Sequence, residues 1–501
     1  MKTFARVFSA QPHHLEGHIV SVEVDYALGK HQFTVIGMAG KAVDEARDRI
    51  GSALKNCGWQ SPKTINHKTV ISLAPAELPK NGSYFDVAMA LGYLLARKAI
   101  HFSPENKVFL GELALNGDIL PVKGVLPIAQ TVKDEGFTQM YVPRENATEA
   151  ALVEGLTVYP IDNLQALIEH IQHVKGCRLE PQPQTDITYG EHIRGSLDMS
   201  DIKGQEAAKR GLEIAAAGGH NIALYGPPGT GKTTLAKAFR DILPPLSRDE
   251  ILEITGIHSI AGILQGTVLH TPPFRSPHHT ASYVALIGGG GKIKPGEVTL
   301  AHRGVLFMDE FPEFEPRVLE SLRQPLEDKV VHITRASGRA TFPTDFILVA
   351  ALNPPPPDAG PHEQERYKRR ISGPIIDRID MWVPVEHIDY AMLHSTTTKE
   401  PLYTHASLRE TILRARALQT ERFKNSPIRP LNAHMTIKEI DTLHITEDVR
   451  HILDTGARKL NISPRGYHRI IKLARTIADI ENSPDILKDH ILEALQYRPK
   501  W

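Results

Sequence analysis

The stretch Gly226-Pro227-Pro228-Gly229-Thr230-Gly231-Lys232-Thr233 constrains this chain more than any other. It follows the apolar run Asn221-Ile222-Ala223-Leu224-Tyr225 and precedes Thr234-Leu235-Ala236-Lys237-Ala238-Phe239, which favours a helix. A strand that turns through glycines into a helix aims backbone N–H groups and the positive end of the helix at one point in space. That point suits phosphate oxygens, with the Lys232 ammonium bridging the outer phosphates and the Thr233 hydroxyl beside a Mg²⁺ ion. The expectation is a nucleoside triphosphate held by Gly226, Pro227, Pro228, Gly229, Thr230, Gly231, Lys232, Thr233 and Thr234.

Two further apolar runs, 304–308 and 346–351, have the character of buried parallel strands. The first ends in Asp309-Glu310, where Asp309 is placed to hold Mg²⁺ through water and Glu310 to orient or deprotonate the attacking water. The second ends in Asn353, whose neutral amide suits the terminal phosphate or the same water. Two arginines lie downstream: Arg378 in Ser372-Gly373-Pro374-Ile375-Ile376-Asp377-Arg378 and Arg465 in Ser463-Pro464-Arg465-Gly466-Tyr467. Phosphoryl transfer gains most from a cation that reaches the terminal phosphate only in the assembled state. Position alone leaves both arginines equally readable as solvated surface charges.

At 501 residues the chain exceeds what one core serves and predicts two to four domains. Residues 1–178 read as mixed α/β, 179–196 as a polar, Pro-rich linker, 197–395 as a parallel-sheet α/β core and 396–501 as helices. The 58 basic and 58 acidic residues exclude a simple electrostatic nucleic-acid binder, although 401–501 carries 17 basic against 12 acidic residues. No run approaches the ~20 apolar residues of a membrane span and no apolar signal core follows Met1, so the expected compartment is the cytoplasm. Cys57 and Cys177 lack any C-x-x-C spacing and are expected to be unpaired, buried thiols.

The phosphate loop, the Asp309-Glu310 strand, the Asn353 strand and the helical end, in this order, resemble an AAA+ ATPase of the branch that holds MCM helicases and magnesium chelatases. More narrowly, Pro273-Phe274-Arg275-Ser276-Pro277-His278-His279-Thr280, Gly296-Glu297-Val298-Thr299-Leu300-Ala301-His302 and Leu322-Arg323-Gln324-Pro325-Leu326-Glu327-Asp328 resemble the magnesium-chelatase-like competence proteins. The resemblance implies ATP as the nucleotide, Asn353 as first sensor, Arg378 as an arginine finger acting on a neighbouring subunit, Arg465 as the sensor of a helical lid, and a homo-oligomeric ring, a hexamer. It implies a motor on single-stranded or branched DNA that migrates recombination intermediates during natural transformation. In that branch the segment 288–294 is an insert and 330–342 a hairpin, which makes Lys292, Lys294, Arg335 and Arg339 expected contacts to a DNA backbone. From the residues alone, the same segments also read as a solvated loop and hairpin.

Residues 1–178 resemble the proteolytic domain of Lon, an S5-domain-2-like α+β fold. Pro79-Lys80-Asn81-Gly82-Ser83-Tyr84-Phe85-Asp86 is similar to the segment with its nucleophilic serine, and Gly117-Asp118-Ile119-Leu120-Pro121-Val122-Lys123-Gly124-Val125-Leu126 to the segment with its lysine. The two catalytic positions fall on Tyr84 and Leu126, which can form no Ser–Lys dyad, so the chain is expected not to be a protease. Ser83 and Lys123 lie close by and leave a shifted dyad open. Relatives often carry cysteines after the sensor asparagine, whereas here the text is Asn353-Pro354-Pro355-Pro356-Pro357, and no zinc is expected. Two other readings remain: a chelatase subunit driving metal insertion, and a nucleotide-gated assembly factor without motor activity.

Overall fold

In the computed structural model the described residues are 3–30, 32–38, 40–62, 66–187, 197–266, 268–291, 293–335, 338–355, 360, 362, 367, 370–387, 403–424 and 431–499. They form two compact units, one of 1–188 with Arg248–Leu269, the other of 189–247 with His270–Trp501.

The first unit is built on a seven-stranded sheet of order β3-β4-β2-β1-β5-β8-β9. Its strands are β1 (Thr3–His13), β2 (Glu16–Leu28), β3 (Gln32–Ile36), β4 (His67–Ala74), β5 (Lys107–Phe109), β8 (Gln139–Pro143) and β9 (Thr157–Ile161), while β6 (Glu112–Leu113) and β7 (Ile119–Leu120) form a separate ribbon. Strands β1, β2 and β4 pair antiparallel, and β5, β8 and β9 continue the sheet parallel. Period-two burial of Val20, Val22 and Val24 on β2 gives one apolar face. Helix α2 (Asp86–Ala96) lies on that face, close enough that a Cβ on Gly92 would stand 2.9 Å from Val24 Cγ2. Helix α3 (Val125–Asp134) closes on the β1–β2 turn, where a Cβ on Gly17 would stand 2.7 Å from Ile128 Cα.

One helix of this unit comes from far along the chain. Helix α8 (Arg248–Ala261) packs on α3, with Gly256 against Pro127. The Ser259 hydroxyl accepts from Gly124 N–H at 3.0 Å and bonds the buried Glu149, which also accepts from Leu126 N–H at 2.8 Å. Arg248 pairs with Glu154 at 2.7 Å. The core expected at 197–395 is therefore not continuous in space: 248–269 packs with the first unit. A break in packing needs no break in composition, which is why the sequence carries no mark of it.

The second unit holds a five-stranded, all-parallel sheet of order β11-β14-β17-β10-β18. The strands are β10 (Ile222–Tyr225), β11 (Phe274–Arg275), β14 (Val305–Met308), β17 (Ile347–Leu352) and β18 (Met381–Pro384). Strands β14 and β17 are buried at every position, as expected of strands covered on both faces. The sheet exceeds the three strands read from the sequence by β11, which at two residues is too short to register as an apolar run, and by β18, which is as long as β10 and β14. Helices at His405–Arg422, Glu447–Lys459, Pro464–Ile480 and Lys488–Gln496 follow, and Ile412, Leu453, Ile470, Ile477 and Ile491 share one apolar cluster with Leu212, Ile222 and Val383. Among the described residues no helix is long and apolar enough to cross a membrane. Both cysteines are free but only half-buried, not buried as expected: Cys57 caps the C-terminus of α1 (Lys41–Asn56), and Cys177 lies in a loop.

Candidate functional site

The phosphate loop leaves β10 and enters α7 (Lys232–Ile242). Gly226 is required by close approach, since a Cβ there would lie 1.9 Å from the Val385 carbonyl oxygen. Gly231, the residue before the first turn of α7, has φ +87°, a left-handed conformation that favours glycine. The Lys232 ammonium donates to the carbonyls of Gly226 (2.8 Å) and Pro227 (2.7 Å), and burial pulls its pKa down while Asp309 opposes the shift. Thr230 closes the loop by donating to Pro227 O at 3.0 Å. Pro228, Gly229, Thr233 and Thr234 are exposed. A 460 Å³ cavity lined by Thr233, Thr234, Lys237, Asp241 and Phe274 opens beside the first turn of α7.

The strand ends arrive as the spacing requires. The Thr233 hydroxyl donates to Asp309 Oδ2 at 3.0 Å, which joins the two side chains expected to flank Mg²⁺. Glu310 sits at φ +50°, a strained conformation for a non-glycine residue that is found most often at functional sites. Its carboxylate Oε2 lies 3.0 Å from Nδ1 of His279. Asn353 follows β17, and its Oδ1 is buried without a hydrogen-bond partner among the described residues. A buried acceptor left unpaired costs roughly 1–3 kcal/mol, and the amide is positioned to regain it from a bound group or water. The orphaned amide, the Gly226 cradle and the Thr233–Asp309 pair fit a Mg²⁺-nucleotide. Mg²⁺ commonly takes one or two carboxylates plus substrate phosphates, so no cage of acids is needed.

Arg378 and Arg465 are brought together elsewhere. Arg378 Nη2 donates to Glu327 and its Nη1 to Pro374 O at 2.9 Å, while Arg465 Nη2 stands 3.5 Å from the other oxygen of Glu327. Arg378 is buried and Arg465 is exposed. The Arg378 carbonyl accepts from Asn221 Nδ2 (3.3 Å) and Arg469 Nη1 (3.0 Å), and Arg469 also pairs with the buried Asp380. Against the burial that raises it, Arg469, His220 and the Asn221 N–H hold the Asp380 carboxyl well below the usual carboxylate range. Ser463, the N-cap of helix Pro464–Ile480, reaches Asp377 at 3.4 Å. The start of that helix is thus fastened to the Arg378 turn. Among the described residues no hydrogen bond or ion pair joins either arginine to the phosphate loop, Asp309 or Asn353.

The expected DNA contacts divide. Lys292 lies outside the described residues. Strands β12 (Gly288–Gly289) and β13 (Lys294–Pro295) form a ribbon that meets a hairpin of β15 (Val330–Arg335) and β16 (Gly338–Pro343). Ile333 stands over Gly288 and the Arg335 guanidinium over Gly289, the residue paired with Lys294. Arg339 pairs with Thr334 in register, so strand alternation puts it on the opposite face from Arg335. Lys294 and Arg335 are gathered, and Arg339 is separated from them.

The other candidate catalytic segment is assembled differently. The Ser83 hydroxyl donates to Glu112, not to an amine. Tyr84 is largely buried, which pushes its phenol up to about 12, and the buried Leu126 lends only its N–H, to Glu149. The Lys123 side chain runs along Gly262.

Three side chains that touch this machinery were quoted in sequence only for family likeness: His279 on Glu310, Glu297 on Arg275 (2.6 and 2.8 Å), and Glu327 beneath both arginines. Asn221, whose side chain ties Leu348 N–H to Arg378 O, had no sequence signal beyond its place before β10.

A phosphate loop, an acidic strand end and an amide strand end on this parallel sheet define an AAA+ ATPase, a class that uses ATP and Mg²⁺. Residues 198–393 match the family described as magnesium chelatase, subunit ChlI; 22–146 match subunit ChlI of Mg-chelatase; and 403–498 match the C-terminal part of that subunit. The chain is 38% identical to competence protein ComM of Haemophilus influenzae over 99% of its own length and 97% of that protein. It is likewise 38% identical to YifB of Escherichia coli, over 96% and 94%. DNA replication licensing factor Mcm6 of Drosophila melanogaster is 25% identical over 59% of this chain and 36% of that one. The chain belongs to the ComM/YifB family of magnesium-chelatase-like proteins.

Proposed function

We propose that this ATPase assembles as a homo-oligomeric ring, a hexamer, that hydrolyses ATP in the cytoplasm to move along single-stranded or branched DNA and migrate recombination intermediates. The observation that carries the ring is the pairing of Arg378 and Arg465 on Glu327, out of contact with their own phosphate loop. Two cations gathered on one carboxylate, one of them exposed, are suited to a triphosphate on a neighbouring copy, and a head-to-tail contact of that kind closes into a ring. Lys232 and the backbone N–H groups hold the phosphates, Thr233 and Asp309 hold Mg²⁺, and Mg²⁺ when bound neutralises charge on the outer phosphates. Glu310 takes the proton of the attacking water once it leaves His279, while Asn353 orients that water. Arg378 and Arg465 leave Glu327 to stabilise the transition-state charge in trans.

DNA as the track is supported by the names of the relatives and by Lys294 and Arg335, which make no ion pair among the described residues. The chelatase reading keeps one specific support, because the description matched over 22–146 is itself a chelatase subunit, so the first unit does not separate the two. Proteolysis is disfavoured by the Ser83–Glu112 bond.

The test is steady-state ATP hydrolysis with and without single-stranded and forked DNA, with Glu310→Gln as the inactive control. Stimulation by DNA that is lost in the variant supports the motor. A DNA-indifferent ATPase sinks it and leaves the chelatase subunit or the assembly factor.

A further inference from the structure

The first unit contains a cavity of 630 Å³ that neither the ATPase chemistry nor the expected DNA contacts use. Beneath it runs a row of rings set by strand register, of which Tyr141 and Tyr159 line the cavity while Phe109 is fully buried. Phe109 on β5, Tyr141 on β8 and Tyr159 on β9 are direct neighbours across three parallel strands, and their rings stack with centroids 4.8 Å apart at 17° and 15°. His170 lies 5.0 Å from Tyr159, tilted by 47°. Its Nδ1 accepts from Leu179 N–H at 2.9 Å, so the ring proton sits on Nε2, facing the Tyr141 hydroxyl at 3.5 Å.

The walls are cationic. Lys107, Lys175 and Arg178 line the cavity together with His101, His170 and His173, and no Asp or Glu is among its lining residues. None of the three permanent cations makes an ion pair among the described residues. Lys107 is fixed by carbonyls instead, donating to Ser103 O at 2.9 Å. Glu169, the acid of helix Leu164–Ile171, is engaged by Gln165 at 2.7 Å and by the thiol of Cys177 at the cavity's edge. Like charges collected without a counter-charge repel one another, and a bound anion relieves that repulsion.

We propose that this cavity binds a nucleotide unit, a phosphate joined to an aromatic base, with Lys107, Lys175 and Arg178 on the phosphate and the half-buried rings of Phe102, Tyr159 and His170 against the base. The volume lies in the range of small-ligand sites, and cations around an aromatic platform form the grip that tracks single strands without reading sequence. The source is either a nucleotide of a single strand or a free mononucleotide. The site stands apart from the ATP-dependent reading and needs neither turnover nor ring.

The experiment uses the full chain without ATP and a thymidine 12-mer carrying 5-iodouracil, irradiated and mapped by peptide mass spectrometry. The expected result is an adduct on Phe102, Tyr159 or His170. Its yield falls about tenfold in Lys175→Ala/Arg178→Ala and is restored in Lys175→Arg/Arg178→Lys. Both side chains are exposed, so an unchanged melting temperature and basal ATP turnover certify the fold of the variants. The slope of log affinity against log salt falls by up to about 0.7 when this one phosphate contact is lost from a single strand. Excess dTMP that displaces the 12-mer identifies a mononucleotide pocket, and displacement by unlabelled 12-mer alone identifies a strand site. Adducts confined to 270–499, or a yield unchanged in the double alanine variant, overturn the proposal. Failure of the motor reading is separable, because it appears as absent DNA stimulation of ATP hydrolysis with this adduct intact.

Discussion

Two loops of this chain carry the outline of a catalytic motif, 226–234 in the second unit and 79–86 in the first, and they differ in what meets the key hydroxyl. Thr233 meets Asp309, delivered from the end of another strand, and the pair makes a place for a metal. Ser83 meets Glu112, a carboxylate that orients a hydroxyl yet leaves no amine to take its proton in a Ser–Lys mechanism, while Lys123 is laid along Gly262. A motif residue is inert or active according to the partner that a distant segment brings to it. The sharpest way to break this contrast is Lys232→Ala combined with Glu310→Gln, which removes a phosphate contact and the base. ATP hydrolysis is expected to fall by about 10⁴-fold or more. Chelation of Mg²⁺ with EDTA is expected to abolish turnover in the wild type as well. Ser83→Ala in the same assay leaves turnover unchanged, and a casein cleavage that it abolished would reverse the assignment of the two loops.

Arg378→Ala carries the next effect, about 10³-fold in kcat if the guanidinium completes a neighbour's site. Mixing decides between that role and a structural one. Rings mixed from Lys232→Ala and Arg378→Ala subunits contain interfaces with an intact loop facing an intact arginine, so part of the activity returns. A residue that acted only within its own subunit gives no recovery.

How far these sites are legible in sequence depends on the distance over which each partner is delivered. The phosphate loop, Asp309 and Asn353 are readable because glycine spacing and apolar runs report local backbone geometry, and each functional residue ends such a run. The strands at 222–225, 305–308 and 347–352 and the helices at 405–422 and 464–480 follow the same logic of period and burial. His279, Glu327 and Asn221 have no local signature. Their roles rest on long-range contacts, one for His279 and two each for Glu327 and Asn221, which spacing cannot encode. The split of Arg335 from Arg339 is different: strict alternation on a two-stranded ribbon contains it, once the register Thr334↔Arg339 is known. The two-residue edge strand β11 escapes for lack of length.

His279 sharpens the comparison inside the active unit, since it does to Glu310 what Glu112 does to Ser83: it occupies the reactive group. An imidazole nitrogen stands 3.0 Å from the Glu310 carboxylate, a contact that in the proposed mechanism competes with the attacking water. His279→Ala is expected to raise DNA-free ATP hydrolysis about 3–10-fold and to shrink the stimulation by DNA, because the restraint that DNA relieves is already gone. A basal rate that falls with the variant assigns His279 to positioning the base instead.

The smallest effect tests why 248–269 packs with the first unit. Helix α8 leaves the second unit after α7 and contributes Ser259 to a buried cluster in which Glu149 also accepts from Leu126 N–H. Burial raises the Glu149 carboxyl above its ordinary value, and the hydrogen bonds of Ser259, Leu126 and Asn146 pull against that rise. Ser259→Ala removes one of those bonds and deprives Gly124 N–H of its acceptor, two losses worth about 1–3 kcal/mol together. The expected readout is a melting transition lowered by a few degrees, with amide exchange accelerated in α3 and α8, and ATP turnover within about twofold of wild type. Unchanged exchange in α3 breaks the assignment of α8 to the first unit. A large loss of turnover shows that this helix, inserted between the phosphate-loop helix and β11, carries the state of the first unit to the ATP site.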